Sequence, residues 1–178
     1  MKSKISWDLV FILILLLSLF SCTTEETPER NANSLVGPWK PQTEGFIQLL
    51  VNGTQTQPEQ FGIEVLGVDP STAADEAKKF LSQTLLGPIS WEKEQLTLFA
   101  DGSFMVLSVV GEETGGWKML NNNSVFQLTS DQFPDLFYDF QVDQFTNSQL
   151  ILSKKVELSV IGPETEKAWI ELKIHLNR

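Results

Sequence analysis

Between Gln95 and Leu107 the chain reads QLTLFADGSFMVL, and no other stretch narrows its folding options as much. Apolar and polar residues alternate on both sides of Asp101-Gly102, the period of a half-buried strand. Asp-Gly supplies the left-handed backbone that a tight hairpin needs, so 89–99 and 103–110 are predicted to be neighbouring antiparallel strands. The same pattern recurs. FIQLLVN (46–52) ends at Asn52-Gly53, FGIEV (61–65) alternates, and GEETGG (111–116) reads as a turn before WKML (117–120). The Asn run at 121–123 turns the chain into SVFQLTS (124–130). LFYDFQVD (136–143), QLILSKKVELSV (149–160) and KAWIELKIHL (167–176) follow, the last two separated by IGPETE. Eight or nine strands joined mostly by short turns predict a mostly β fold: an antiparallel up-and-down barrel of about eight strands, with a β-sandwich as the alternative.

One segment has a different period. In TAADEAKKFLSQTLLGP, Ala73, Ala77, Phe80, Leu81, Thr84 and Leu85 form one helical stripe. Asp75 and Glu76 come early and Lys78 and Lys79 later, the order the helix dipole favours. Asp69 or Ser71 is placed to cap the start, Pro70 suits a first turn, and Gly87 suits the left-handed end. This inserted α-helix is expected to cover a barrel mouth or pack on a sheet face.

The chain opens with Lys2 and Lys4 before an apolar run from about Leu9 to Phe20. That run is roughly twelve residues, short of the about twenty that span a bilayer, and it has the layout of a secretory signal peptide. Leu19-Phe20-Ser21-Cys22 resembles the lipobox of bacterial lipoproteins. The resemblance implies a cut after residue 21, a diacylglyceryl thioether on Cys22 and, usually, a third acyl chain on its amine. Cys22 is the chain's single cysteine, which fits a lipidated rather than a free thiol in an oxidising compartment. Two acyl chains give stable membrane attachment where one gives marginal binding. The domain reading is a signal peptide over 1–21, a lipidated, disordered polar tether over 22–34, and a folded domain over 35–178. Glu25 and Glu26 resemble the export signal of surface lipoproteins in Bacteroidota-type bacteria, and the LFSC form of the lipobox points the same way. The expected location is the outer membrane, on its surface or periplasmic face.

Processing at that point removes Lys2, Lys4 and Asp8, leaving the mature chain one unit more acidic than the formal −10 of the whole. Such a balance argues against nucleic acid and anionic headgroups as partners, because both need basic patches. The lipid membrane, through the acyl chains on Cys22, is the one partner the leader implies.

Leu35-Val36-Gly37-Pro38-Trp39-Lys40 resembles the Gly-x-Trp opening of lipocalins. The run from Leu96 to Phe104 resembles the strand, Asp-Gly, strand core of lipocalin-like (calycin-type) domains in Bacteroidota lipoproteins, and Gly116-Trp117 resembles the Gly-Trp or Gly-Tyr strand start that follows in them. Over roughly 35–176 the resemblance implies a calycin-like barrel with Gly37 and Trp39 as fold signature. In lipocalins that tryptophan packs across the closed end under a basic residue from near the C-terminus; Lys173 and Arg178 are the candidates here. The chain departs from the true lipocalins in lacking a Thr-Asp-Tyr motif and a C-terminal helix, and in carrying a helix early. The implied function is non-enzymatic binding of a small apolar or amphiphilic ligand. Trp91, Trp117, Trp169, Phe104, Phe126 and Phe140 could line a cavity or fill it. If they fill it, the reading becomes an interaction module whose outer face, with Trp169, meets a protein or polysaccharide of the cell envelope.

Catalytic chemistry has little to draw on. His175 is the single histidine, and period-2 geometry places it with Trp169, Glu171 and Lys173 on the outer face of the last strand. With one histidine and one lipidated cysteine no His/Cys zinc site assembles, no Cys/His dyad forms, and no Gly-rich phosphate loop is present. Asp131, Asp135, Asp139 and Asp143 recur every four residues, but Pro134 opposes a helix there. As a strand, Leu136, Tyr138, Phe140 and Val142 face inward and Asp139 and Asp143 face water. The calcium-loop spacing is absent, so these carboxylates read as a solvated face and no cofactor is expected.

Overall fold

The reversals of the sheet sit where the backbone adopts conformations few side chains tolerate. In this computed structural model, which describes residues 32–89, 94–108, 111–159 and 167–178, Asn52 and Gly53 have φ of 50° and 82°. They form a two-residue hairpin between β2 (Ile47–Val51) and β3 (Thr54–Thr56). Gly102 has φ of 84° in the turn between β4 (Gln95–Leu98) and β5 (Ser103–Ser108). There Asp101 accepts from the Ser103 N–H at 2.9 Å and hydroxyl at 2.6 Å, and these bonds hold its carboxyl below the usual range. Asn121, Asn122 and Asn123, all at positive φ, turn β6 (Gly111–Leu120) into β7 (Val125–Ser130).

From β1 (Gly37–Pro41) the hydrogen-bonded order is β1-β4-β5-β6-β7, then β8 (Tyr138–Phe145), β9 (Gln149–Ser159) and β10 (Lys167–Asn177). Antiparallel pairing of β10 back to β1, at Lys40↔Asn177 and Pro41↔Leu176, closes these eight strands into a barrel. One continuous sheet that meets its own edge is a barrel, so the sandwich alternative drops out. The closing strand is interrupted: β1 covers the lower end of β10, the chain steps out over Gln42–Phe46, and β2 resumes along Ile170–Ile174 of β10. Above β1 the hairpin β2–β3 therefore flares away from β4, and the helices lie in the connection between β3 and β4.

Among the described residues two α-helices occupy that connection, where the sequence suggested one. α1 (Pro58–Glu64) was expected as a strand over 61–65. Phe61, Ile63 and Val65 do alternate, yet Phe61 and Val65 are also one helical turn apart, and both are buried while Ile63 is 39% exposed. Pro58 at the first turn starts the helix. Gly62 lets the Ala73 carbonyl approach to where a Cβ would be 2.4 Å away, so α1 packs directly on α2 (Ala73–Leu81). In α2 neither Asp69 nor Ser71 caps: Thr72 is the N-cap and makes no side-chain cap bond. Asp69 instead binds the Ser71 N–H and hydroxyl in the preceding turn. Ala73, Ala77, Leu81 and Leu85 are fully buried as the stripe requires, but Thr84 is exposed and Leu86 buried. The last turn widens to π geometry, with the Gly87 N–H on the Ser82 carbonyl, and one extra residue per turn moves Leu86 onto the inner stripe.

The expected GEETGG turn is also corrected. Gly111–Gly116 belong to β6, paired from Ser108↔Gly111 to Ser103↔Gly116, so its glycines mark something other than a reversal. A Cβ on Gly115 would meet the Thr129 carbonyl at 2.0 Å and the Phe104 ring at 2.6 Å. The ring occupies the space that the missing side chain leaves.

Inside, away from the helix-covered end, the barrel is filled by side chains. Trp39, Phe104, Phe126, Phe140, Leu98, Leu128, Leu150 and Leu152 are at most 1% exposed. On β10, Ile170, Leu172, Ile174 and Leu176 face in as the alternation predicts. Each such side chain contributes about 1.5–3 kcal/mol by leaving water. At the closed lower end Trp39 lies 6.4 Å from Phe145, ring to ring, and donates from Nε1 to the Leu35 carbonyl at 2.8 Å. The Arg178 guanidinium sits 4.4 Å above its ring and bonds the Ser34 and Val36 carbonyls at 2.6 and 2.9 Å. Of the two basic candidates, Arg178 takes this place, and Lys173 is on the outer face, ion-paired to Asp143 and Glu171.

Among the described residues no helix is long and apolar enough to cross a membrane. The leader 1–21, Cys22, Glu25, Glu26 and Trp91 lie outside the described residues.

Candidate functional site: the upper mouth of the barrel

Burial changes character toward the helix-covered end. On β9 the inward face runs Leu150, Leu152, Lys154, Val156, Leu158; the first two are fully buried, and the last three are half-buried. β8 begins at Tyr138, and its ladder with β9 runs only from Gln141↔Ser153 to Phe145↔Leu150, so β9 beyond Ser153 has no ladder partner in β8. The loop 131–137 exposes Phe133, Leu136 and Phe137 at 54, 52 and 59%. Three large apolar side chains within five residues make a patch, whereas isolated ones are ordinary on a surface.

A groove of about 330 Å³ runs from this loop to the end of the π turn, lined by Ser82, Gln83, Gly87, Phe133, Leu136 and Tyr138. Its volume falls in the range that takes a small molecule. Gly87, at φ of 59°, shapes its floor: a Cβ there would lie 2.2 Å from the Tyr138 ring, so ring and backbone are in direct contact. Beyond Tyr138 stands Lys154, its Nζ 5.6 Å from the Tyr138 ring centre and 5.7 Å from that of Phe140. Burial pushes its ammonium below the ordinary lysine value, against an opposing pull from Asp139. A second cleft, about 400 Å³, lies between the β2–β3 hairpin and α2. Gln48, Gln55, Gln57, Glu59 and Lys78 line it together with Ile47 and Leu49, the mixed surface of a solvated seam.

The residues singled out in the sequence are scattered. Trp39 and Gly37 belong to the lower end, and Phe104, Phe126 and Phe140 fill the interior. Trp117 is half-buried against Phe126 and donates to the Phe99 carbonyl at 3.0 Å. Trp169 is outside, 47% exposed, with Lys155 Nζ 5.0 Å over its ring. The four aspartates stay on the exterior and do not converge. Asp131 accepts from Thr114, Asp139 from Gln127, and Asp143, at a bulge in β8, from Ser153 and Lys173. No group of three metal-ligating side chains forms among the described residues. Lys154 was missed, although the alternation in QLILSKKVELSV already put it on the face of Leu150 and Leu152.

His175 is half-buried on the outer side of β10, where its backbone bonds Gln42 and Phe46. Nε2 is buried and has no hydrogen-bond partner among the described residues. Burial, helped by Lys173 and opposed by Asp143, lowers its pKa. The unfolded chain takes up a proton near pH 6.5, as the free side chain does, while the folded chain holds the ring neutral to lower pH. Its contribution is therefore complete above about pH 6.5 and is lost as pH falls through the folded value. Urea midpoints of wild type and His175→Gln should diverge between pH 7.5 and 5, wild type losing more; parallel curves would show the ring to be solvated.

No protein-family model matches the chain, and no curated protein matches it at a significant level. Among solved structures it is similar to a DUF4847 family protein from Bacteroides vulgatus ATCC 8482. The two are 16% identical with a TM-score of 0.33, over 78% of this chain and 92% of that one. A likeness of that size adds nothing to the barrel already described.

Proposed function

We propose that this protein is a non-enzymatic, lipid-anchored lipocalin-like barrel of the outer membrane that binds a small apolar or amphiphilic molecule at its upper mouth. The groove between Phe133, Leu136 and Tyr138 carries the reading, because among the described residues it is an apolar cleft open beside an interior filled by Phe104, Phe126 and Phe140. Trp39 beneath Arg178, behind a Gly-x-Trp opening, supports the lipocalin-like part. The anchor rests on the lipobox around Cys22. A ligand deeper in the barrel would have to displace Phe104, Phe126 or Phe140, each at most 1% exposed.

The test is uptake of a neutral apolar dye, N-phenyl-1-naphthylamine, by the chain from residue 22 carrying Cys22→Ser. Leu136→Asp should weaken uptake by more than about tenfold, since one leucine's burial is about 1.5–3 kcal/mol. Absence of uptake by the unaltered barrel sinks the reading. Exposure of Phe133, Leu136 and Phe137 together favours a second reading, a filled-core module that docks an envelope protein through this rim. That alternative predicts no dye uptake but a cross-link from the rim to one neighbour in cells.

A further inference from the structure

Lys154 is the one inward-facing lysine among the described residues that has no carboxylate to answer it. Its Cα is paired with Leu172, which is 1% exposed on the inner face of β10. It shares its own face of β9 with Leu150, Leu152, Val156 and Leu158. Of the lysines on the outside of the same strands, Lys167 pairs with Glu157 and Lys173 with Asp143 and Glu171, while Lys155 stands exposed over the Trp169 ring. Lys154 forms no such pair. The acid whose field it feels, Asp139, points outward and accepts from the Gln127 amide at 2.6 Å. Glu113 lies on the inner face of β6, opposite Val106, and makes no ion pair with Lys154.

An ammonium in an apolar mouth is costly unless it is paired. Two ring faces offset part of that cost, and Tyr138, which provides one of them, is also a wall of the groove. Cation and hydrocarbon surface thus meet across a single side chain. We infer that the upper mouth selects an anionic amphiphile, a monocarboxylate whose head pairs with Lys154 Nζ and whose chain lies along Phe133, Leu136 and Tyr138. This rests on the mouth being the binding site, as proposed above, and adds which charge it takes.

Titration calorimetry with decanoate, decanol and decyltrimethylammonium separates the two claims. Decanoate should bind about tenfold more tightly than decanol, the size of effect expected of one charge-assisted bond, and the ammonium should bind least. Lys154→Met should bring decanoate down to the level of decanol and leave decanol unchanged, while Lys154→Arg keeps the preference. If decanoate and decanol bind equally, or Lys154→Met alters neither, the head-group assignment is overturned and the mouth site stands. If neither binds, the mouth site itself falls. Flotation with phosphatidylglycerol vesicles distinguishes a free amphiphile from a bilayer headgroup: the unlipidated chain should stay unbound, and flotation that depends on Lys154 would overturn the free-ligand assignment.

Discussion

Trp39→Ala should lower stability by about 3–5 kcal/mol, the cost of emptying a fully packed aromatic site. In a domain of this length that is a fall in melting midpoint of roughly 10 °C. The indole is 0% exposed, faces Phe145, and donates its N–H to the Leu35 carbonyl. Its removal leaves a cavity at the closed end and an unpaired carbonyl beneath it. The loss should also loosen the closure itself, because Trp39 stands in β1, and β1 alone bridges β4 and the lower end of β10. Arg178→Ala removes the cation above the ring and two bonds to Ser34 and Val36, all at the surface. It should cost about 1 kcal/mol. Differential scanning calorimetry of the two variants orders them; a Trp39→Ala midpoint within about 2 °C of wild type would mean the ring does not plug the barrel.

The parts of this fold that could be read from the sequence are those where one local rule decides the outcome. Asp101-Gly102, Asn52-Gly53 and the three asparagines at 121–123 turn the chain where their backbone preferences say, and the aliphatic face of β10 points inward. The misreadings share a cause: one short pattern satisfied two periods. Phe61, Ile63 and Val65 alternate like a strand and recur like a helix, and packing of Phe61 and Val65 against α2 settled the matter. Thr84 and Leu86 exchanged places because π widening is a backbone event that side-chain spacing does not announce.

The candidate site was only half visible. Phe133, Leu136 and Phe137 look like any apolar run until the strand pairing shows that β8 starts after them. Leu136, expected to face inward, is therefore 52% exposed. Lys154 was the reverse case: the alternation that defined β9 put it inside, but a lysine in a row of aliphatics is easily passed over as an end effect. The basic partner of Trp39 was open between Lys173 and Arg178, although the alternation that puts Lys173 on the outer face already favours Arg178, which the register of β10 against β1 brings to the ring.

Two adjacent glycines, indistinguishable in the sequence, offer the sharpest contrast the barrel provides. Gly115 faces inward, and a Cβ on it would be 2.0 Å from the Thr129 carbonyl and 2.6 Å from the Phe104 ring. The ring could tilt, but the carbonyl belongs to β7 and is fixed by the ladder that pairs Gly116 with Thr129 and Gly115 with Ser130. Gly115→Val must therefore part β6 from β7 or tear the core around Phe104, at a cost of about 3 kcal/mol or more. Gly116 points the other way, its nearest atom the Gly102 carbonyl at an ordinary 3.9 Å. Gly116→Ala should be neutral or stabilise by up to about 1 kcal/mol, through the entropy it removes from the unfolded chain. Denaturant unfolding of the two variants should separate them by at least about 3 kcal/mol. Adding Phe104→Leu to Gly115→Val should recover only part of the loss, because the Thr129 carbonyl remains in the way. Equal stability of the two single variants would show that β6 and β7 do not approach as closely as their ladder requires.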